Sequence, residues 1–157
     1  MTVWTEMDSM VGVLRLVSDG VALNAIVFQP ADEPVGQRTD DHPVLVDARS
    51  QLEAYFAAEL HEFDLPLAAA GTPFQQRVWR ALSEIGYGDT ATYGQIAARL
   101  GLPRGASRAV GLANGRNPIP VVVPCHRVIG SNGKLVGYGG GVERKQRLLS
   151  LESGALF

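Results

Sequence analysis

Two adjacent side chains offer nucleophile-and-base chemistry in this sequence. They are Cys125, its single cysteine, and His126, within Pro124-Cys125-His126-Arg127-Val128. A thiol attacks as its thiolate, and an unperturbed cysteine, with a pKa of about 8.5, is mostly protonated at neutral pH, so a reactive cysteine needs a base. Histidine is the usual base. Neighbours on an extended segment point to opposite faces, however, so His126 reaches Cys125 only at a turn or through a water. Glu152 is the carboxylate suited to orient His126, which would complete a Cys-water-His-Glu relay. A lone cysteine is more often a small buried hydrophobe, and residue types alone leave both readings open. One cysteine forms no internal disulfide, and histidines at 42, 61 and 126 match no zinc spacing, so neither a metal nor a cofactor is expected.

The elements around the cysteine must hold it. Asn117-Pro118 marks a turn, and Pro120 and Pro124 bracket a valine run that makes a poor central strand, since proline cannot donate to a ladder. An extended, buried approach to Cys125 is expected. Beyond it, Gly130-Ser131-Asn132-Gly133-Lys134 reads as a hairpin-like turn. Gly137-Tyr138-Gly139-Gly140-Gly141 is a glycine-rich loop without the lysine and hydroxyl of a triphosphate site. A last helix, Val142 to about Ser153, is basic at 144, 145 and 147 and carries Glu152 near its end.

Upstream, Thr72-Pro73-Phe74-Gln75 is a capping box with proline at the first helical position. It predicts a helix to about Glu84, with Phe74, Val78, Trp79 and Leu82 inward. A second box, Thr92-Tyr93-Gly94-Gln95, starts a short helix through Leu100. Gly101-Leu102-Pro103 breaks the chain, and Arg104 to Asn114 predicts a further helix, completing a helix-turn-helix pattern. The second helix is built of small residues, Gly105, Ala106, Ser107, Ala109, Gly111 and Ala113, with Arg108 long and polar in the middle. Such a helix suits tight packing on another helix or entry into a narrow groove with one arginine projecting.

The front half reads differently. Val11–Val17 and Val21–Phe28, separated by Ser18-Asp19-Gly20, predict a β-hairpin. Residues 31–42 read as a loop. From Pro43 the spacing of Leu45, Ala48, Leu52, Phe56 and Leu60 predicts a helical face, followed by a short strand over Phe63–Leu67 and a linker, Ala68-Ala69-Ala70-Gly71. Residues 1–71 hold three Arg or Lys and twelve Asp or Glu, net −9, whereas residues 72–157 hold eleven and four, net +7. The basic half is a candidate polyanion-binding unit. No run approaches the ~18 consecutive apolar residues that cross a bilayer, and the first ten residues lack a signal-peptide pattern, so a cytoplasmic protein without a membrane partner is expected. The expected domains are 1–70 and 71–157.

Pro124-Cys125-His126-Arg127-Val128, preceded by Arg108-Ala109-Val110-Gly111 and Asn117-Pro118 and followed by Gly137-Tyr138-Gly139, resembles the O6-alkylguanine-DNA alkyltransferases. These are also called methylated-DNA–protein-cysteine methyltransferases. The match runs over about residues 72–152, and the front half is similar to that family's ribonuclease-H-like N-terminal domain. The implied fold is α+β: a small N-terminal α/β domain with an antiparallel sheet, then a mostly helical, winged-helix-like domain containing the helix-turn-helix.

The resemblance implies that Cys125 takes an alkyl group from guanine O6 in double-stranded DNA in one irreversible, stoichiometric transfer. His126 would be the base acting through a water, oriented by Glu152, and Asn117 would hold the active-site turn. Tyr93 would press on the target phosphate, and Arg108 would fill the gap left by the flipped base, with Ala106 and Ser107 also against DNA. The pocket would use Pro120, the Val128 and Cys125 carbonyls, Tyr138 as an apolar wall and the backbone N–H of Gly139. Some members carry serine where this chain has Gly139, and a bulky apolar side chain where it has Asn114-Gly115-Arg116. A monomer is expected, with cooperativity on DNA left open. Two other classes are weighed against this one. A lesion-binding relative that transfers nothing is disfavoured by Cys125, and a helix-turn-helix regulator is disfavoured by the lack of a second cysteine.

Overall fold

The computed structural model describes residues 1–135, 138 and 140–154, and the chain folds as two units, Met1–Ala70 and Gly71–Phe157. In the first unit, strands β1 (Val3–Met7), β2 (Leu14–Ser18), β3 (Leu23–Phe28) and β4 (Gln37–Arg38) form one sheet in the order β3-β2-β1-β4. The first three are antiparallel neighbours and β4 runs parallel to β1. Along β1 and β2 buried residues alternate with partly exposed ones, the period-2 pattern of a sheet with one face covered. Helix α1 (Pro43–Phe56) supplies the cover through Leu45, Ala48, Leu52 and Tyr55.

The predicted hairpin is present as β2 and β3. Its link closes where Asp19 Oδ1 accepts the Val21 and Ala22 N–H groups at 2.8 and 2.9 Å, with Gly20 at φ 94°. The sequence reading missed β1 and β4. The expected strand over Phe63–Leu67 is reduced to a single bridge, Leu23 to Leu67. The helix ends at Phe56, so Leu60 lies beyond it and Tyr55 takes the inward place assigned to Phe56. The inward register thus differs by one residue at the end of the helix, which the spacing of apolar types alone does not resolve.

The second unit begins with α2 (Pro73–Leu82) and continues through β5 (Ala91–Thr92), α3 (Tyr93–Arg99) and α4 (Ser107–Gly115). A 3₁₀ turn over Cys125–Arg127, strand β6 (Val128–Ile129) and α5 (Val142–Ser153) follow. Both predicted capping boxes are formed, Thr72 with Gln75 and Thr92 with Gln95. Helix α2 buries Val78, Trp79, Ala81 and Leu82, with Phe74 only half-buried, and the Trp79 indole N–H donates to the Ala113 carbonyl at 2.9 Å. That bond fixes α4 across α2.

Two expectations for this unit are corrected. Helix α4 starts at Ser107, not Arg104, because Gly105 sits at φ 90°, outside the helical region, so the turn of the helix-turn-helix spans 100–106. The approach to Cys125 is a set of turns, not extended chain. Asn117 closes it, its Nδ2 donating to the Val123 carbonyl at 2.8 Å and its Oδ1 accepting the Ile119 N–H at 3.0 Å. Val121 is left at φ 74°, a conformation a β-branched residue adopts at a cost of about 1–3 kcal/mol. Complete burial of Ile119 and Val121 offsets that strain.

Candidate active site

Short-range chain geometry brings the site together. Strand β5 leads directly into Tyr93 and β6 follows directly on the cysteine turn. Their parallel pairing, Ala91 with Val128 and Thr92 with Ile129, therefore brings the start of α3 up to the cysteine segment. The 3₁₀ turn over Cys125–Arg127 spreads successive side chains by about a third of a circle. All three side chains, Cys125, His126 and Arg127, are buried, and those of His126 and Arg127 meet on one carboxylate, that of Glu152.

His126 is fully buried, and its Nε2 lies 2.6 Å from Glu152 Oε2 on α5. Its Nδ1 has no hydrogen-bond partner among the described residues. Arg127 grips the same carboxylate as a fork, Nε to Oε1 at 2.7 Å and Nη2 to Oε2 at 3.0 Å, and its Nη1 donates to the Ile85 carbonyl at 2.6 Å. Such bidentate, charge-assisted bonds fix a carboxylate in place. Glu152 is thereby held by Arg127 while it holds His126.

Burial dominates the ionisation of the site. It pushes the Cys125 thiol above the ordinary cysteine value, opposed by hydrogen bonds with Asn117 and Tyr138 and by the charge of Lys145. It pushes the His126 imidazole below the ordinary histidine value, opposed by the Glu152 hydrogen bond and charge. Both groups are thus favoured in their neutral forms, a protonated thiol and an uncharged imidazole. Lys145, on α5 and fully buried, donates to the Val128 carbonyl, and its Nζ lies 5.9 Å from the centre of the Tyr138 ring. Tyr138 is buried and its hydroxyl favours the ionised Cys125 thiol, so it offers a polar group as well as the expected apolar wall.

The other expected site residues fall into two groups. Asn117, Pro120 and Val128 lie in or beside the turns that carry Cys125, with Pro120 and Val128 buried. Arg108, on α4, is exposed, whereas Ser107 and the preceding Ala106 are half-buried, as is Tyr93 at the start of α3. Tyr93 and Arg108 line one open cleft of about 660 Å³ together with Ser107, Gly111, Leu112, Gly115 and Arg116. Gly139 lies outside the described residues.

The sequence reading passed over three side chains. Arg127 stood only as part of the cysteine motif, and Lys145 only as one of the basic positions of the last helix. Asn114 was noted only as a departure from other members, yet it is buried on α4, with its Nδ2 3.4 Å from the Cys125 carbonyl. It is also a hydrogen-bond partner of the Tyr93 hydroxyl, whose titration burial raises and this bond lowers. A polar residue at a position where the small-residue helix faces inward was the available signal. Among the described residues no group of three His, Cys, Asp or Glu is placed to hold a metal ion.

Both units match known proteins. Residues 2–69 match the family model described as the 6-O-methylguanine DNA methyltransferase ribonuclease-like domain. Residues 73–154 match the DNA binding domain of the same family. A methylated-DNA–protein-cysteine methyltransferase of Mycolicibacterium paratuberculosis is 53% identical over 151 residues, covering 95% of this chain and 91% of that relative. The crystal structure of Mycobacterium tuberculosis O6-methylguanine methyltransferase superposes with a TM-score of 0.89 at 49% identity, covering 100% of this chain and 96% of that one. The structure of Mycobacterium tuberculosis OGT in complex with DNA gives 0.88 at 49% identity, covering 97% and 93%. With both units matched in order and a relative of this identity spanning nearly the whole length, the chain belongs to the 6-O-methylguanine DNA methyltransferase family.

Proposed function

We propose that this protein repairs alkylated DNA by moving the alkyl group from guanine O6 to the Cys125 sulfur, once per molecule. The observation that carries this reading is the buried His126–Glu152 contact beside a single buried cysteine, in the unit that matches the family's DNA binding domain. The thiol proton passes to His126, through a water at Nδ1, as the sulfur attacks the alkyl carbon. An S–C bond forms, the O6–C bond breaks, and its electron pair stays on the guanine, which takes a proton with the help of Tyr93. The product is a thioether, a poor leaving group, and Cys125 is the only thiol in the chain. Turnover therefore ends there.

Placement supports each remaining role. Glu152, locked by Arg127, keeps His126 oriented and stabilises the imidazolium as the proton arrives. Asn117 holds the turn and favours the ionised thiol. Pro120, Tyr138 and the carbonyls of Val128 and Cys125 form the base pocket. Arg108, exposed on α4, enters duplex DNA and fills the gap left by the expelled guanine, with Ala106, Ser107 and Tyr93 against the backbone. The acidic domain 1–70 accompanies the alkyltransferase domain 71–157. The protein acts on double-stranded DNA containing O6-alkylguanine, as a monomer in the cytoplasm. Among the described residues no helix is long and apolar enough to cross a membrane.

Mass spectrometry after incubation with O6-methylguanine duplex tests the reading. One added methyl on Cys125, with one equivalent of lesion exhausting the protein, is expected. Multiple turnover, or repair without a modified Cys125, would overturn it.

A further inference from the structure

Helix α4 buries Val110, Ala113 and Asn114 and turns its other face outward. On that outward face the residues are small except at Arg108 and Leu112, which are one helical turn apart and so lie side by side. Leu112 is 63% exposed, more than any other large hydrophobic among the described residues of the second unit, where Val142 follows at 47%. Single exposed apolar side chains are common and carry no meaning alone. Here the leucine lines the open cleft beside Tyr93 and between two arginines, Arg108 and Arg116, with no acidic residue in the lining. Gly111 precedes it, and Gly115 lies one turn beyond, on the same face. Bare backbone on either side lets the helix sink toward a partner until the leucine is the first apolar group to touch.

A cationic cleft with one apolar projection fits a duplex whose groove has been opened. The arginines meet phosphates and the stack, while an apolar wedge packs on sugars and base edges and keeps the strained step apart. We propose that Leu112 is such a wedge: it enters the minor groove of duplex DNA beside Arg108 and stabilises the state in which the target base has left the helix. This rests on the reading of Arg108 as the residue that replaces the expelled guanine. Leu112 acts through the DNA and not on the reacting atoms, which makes it a positioning residue.

The test compares transfer rates on O6-methylguanine in duplex, on the same strand unpaired, and on free O6-alkylguanine base, for Leu112→Ala, Leu112→Asn and Leu112→Met. Leu112 is exposed, so these variants keep the fold, and melting curves check it. The alanine and asparagine variants are expected to lose about tenfold on duplex, the scale of losing one buried leucine contact, and to stay within roughly twofold on the other two substrates. The methionine variant should keep the duplex rate. Equal losses on duplex and single strand, an unchanged duplex rate in the alanine variant, or full duplex activity in the near-isosteric asparagine variant would each overturn the wedge. Failure of the wild type to react with any of the three substrates would instead sink the underlying alkyl-transfer reading.

Discussion

His126 and Glu152 stand 26 positions apart in sequence and meet at 2.6 Å with both side chains out of solvent. The contact joins the cysteine turn to the last helix, and Arg127 doubles it by gripping the same carboxylate from the adjacent position. One carboxylate therefore serves an imidazole and a guanidinium that are neighbours in the chain. Removing it should show in both reactivity and stability.

Glu152→Gln keeps the shape and deletes the charge. Transfer from methylated DNA should fall by about two orders of magnitude, the usual scale for a general base that loses its orientation. The variant should also melt lower, because Arg127 is left as a buried cation without its counter-charge. Single-turnover kinetics and calorimetry measure the two effects. A normal transfer rate in a destabilised variant would assign Glu152 to structure alone.

The His126 imidazole is held below the ordinary histidine value by burial, so between its folded value and about 6.5 the unfolded chain binds a proton that the folded protein does not. Stability from this group is complete above that unfolded value and is lost as pH falls. The melting temperature of the wild type should therefore drop from pH 7 to pH 5 more steeply than that of His126→Gln. Parallel curves for the two proteins would contradict the burial argument.

Arg108→Ala should separate opening of the duplex from chemistry. Flipping a base costs a few kcal/mol, so loss of the residue that fills the gap should slow repair in duplex by roughly tenfold to a hundredfold. Reaction with free O6-alkylguanine base should be nearly unchanged. Equal loss on both substrates would refute the finger role.

Alkylation should loosen the protein that performs it. Cys125 is 4% exposed and packed against the turn pinned by Asn117, and an added methylene in such a site costs about 1–3 kcal/mol. In a domain of this size each kcal/mol lowers the melting temperature by roughly 4–8 °C. Scanning fluorimetry before and after reaction with methylated DNA measures the shift, and an unchanged value would show that the pocket accepts the alkyl group without strain.

The residues themselves determined much of this. Two capping boxes, the Asp-Gly hairpin link and the last helix follow from local chemistry acting over three or four positions, and they form where that chemistry places them. The Pro-Cys-His-Arg-Val motif likewise singled out Cys125 and His126 as a candidate nucleophile and base, and Glu152 is the carboxylate suited to orient the histidine. Tertiary structure decided what local signals could not carry. Strand β4 is two residues long and exists by pairing with β1, and the cysteine approach bends because Asn117 bonds across it. In sequence Arg127 and Lys145 are cations with no evident partner. Burial turns them into the groups that lock Glu152 and sit behind Val128, since a charge removed from water must find a partner and only the folded chain supplies one. The residue types thus singled out Cys125, His126 and Glu152, and the packing around them decided how those side chains are held and that burial favours the neutral thiol and imidazole.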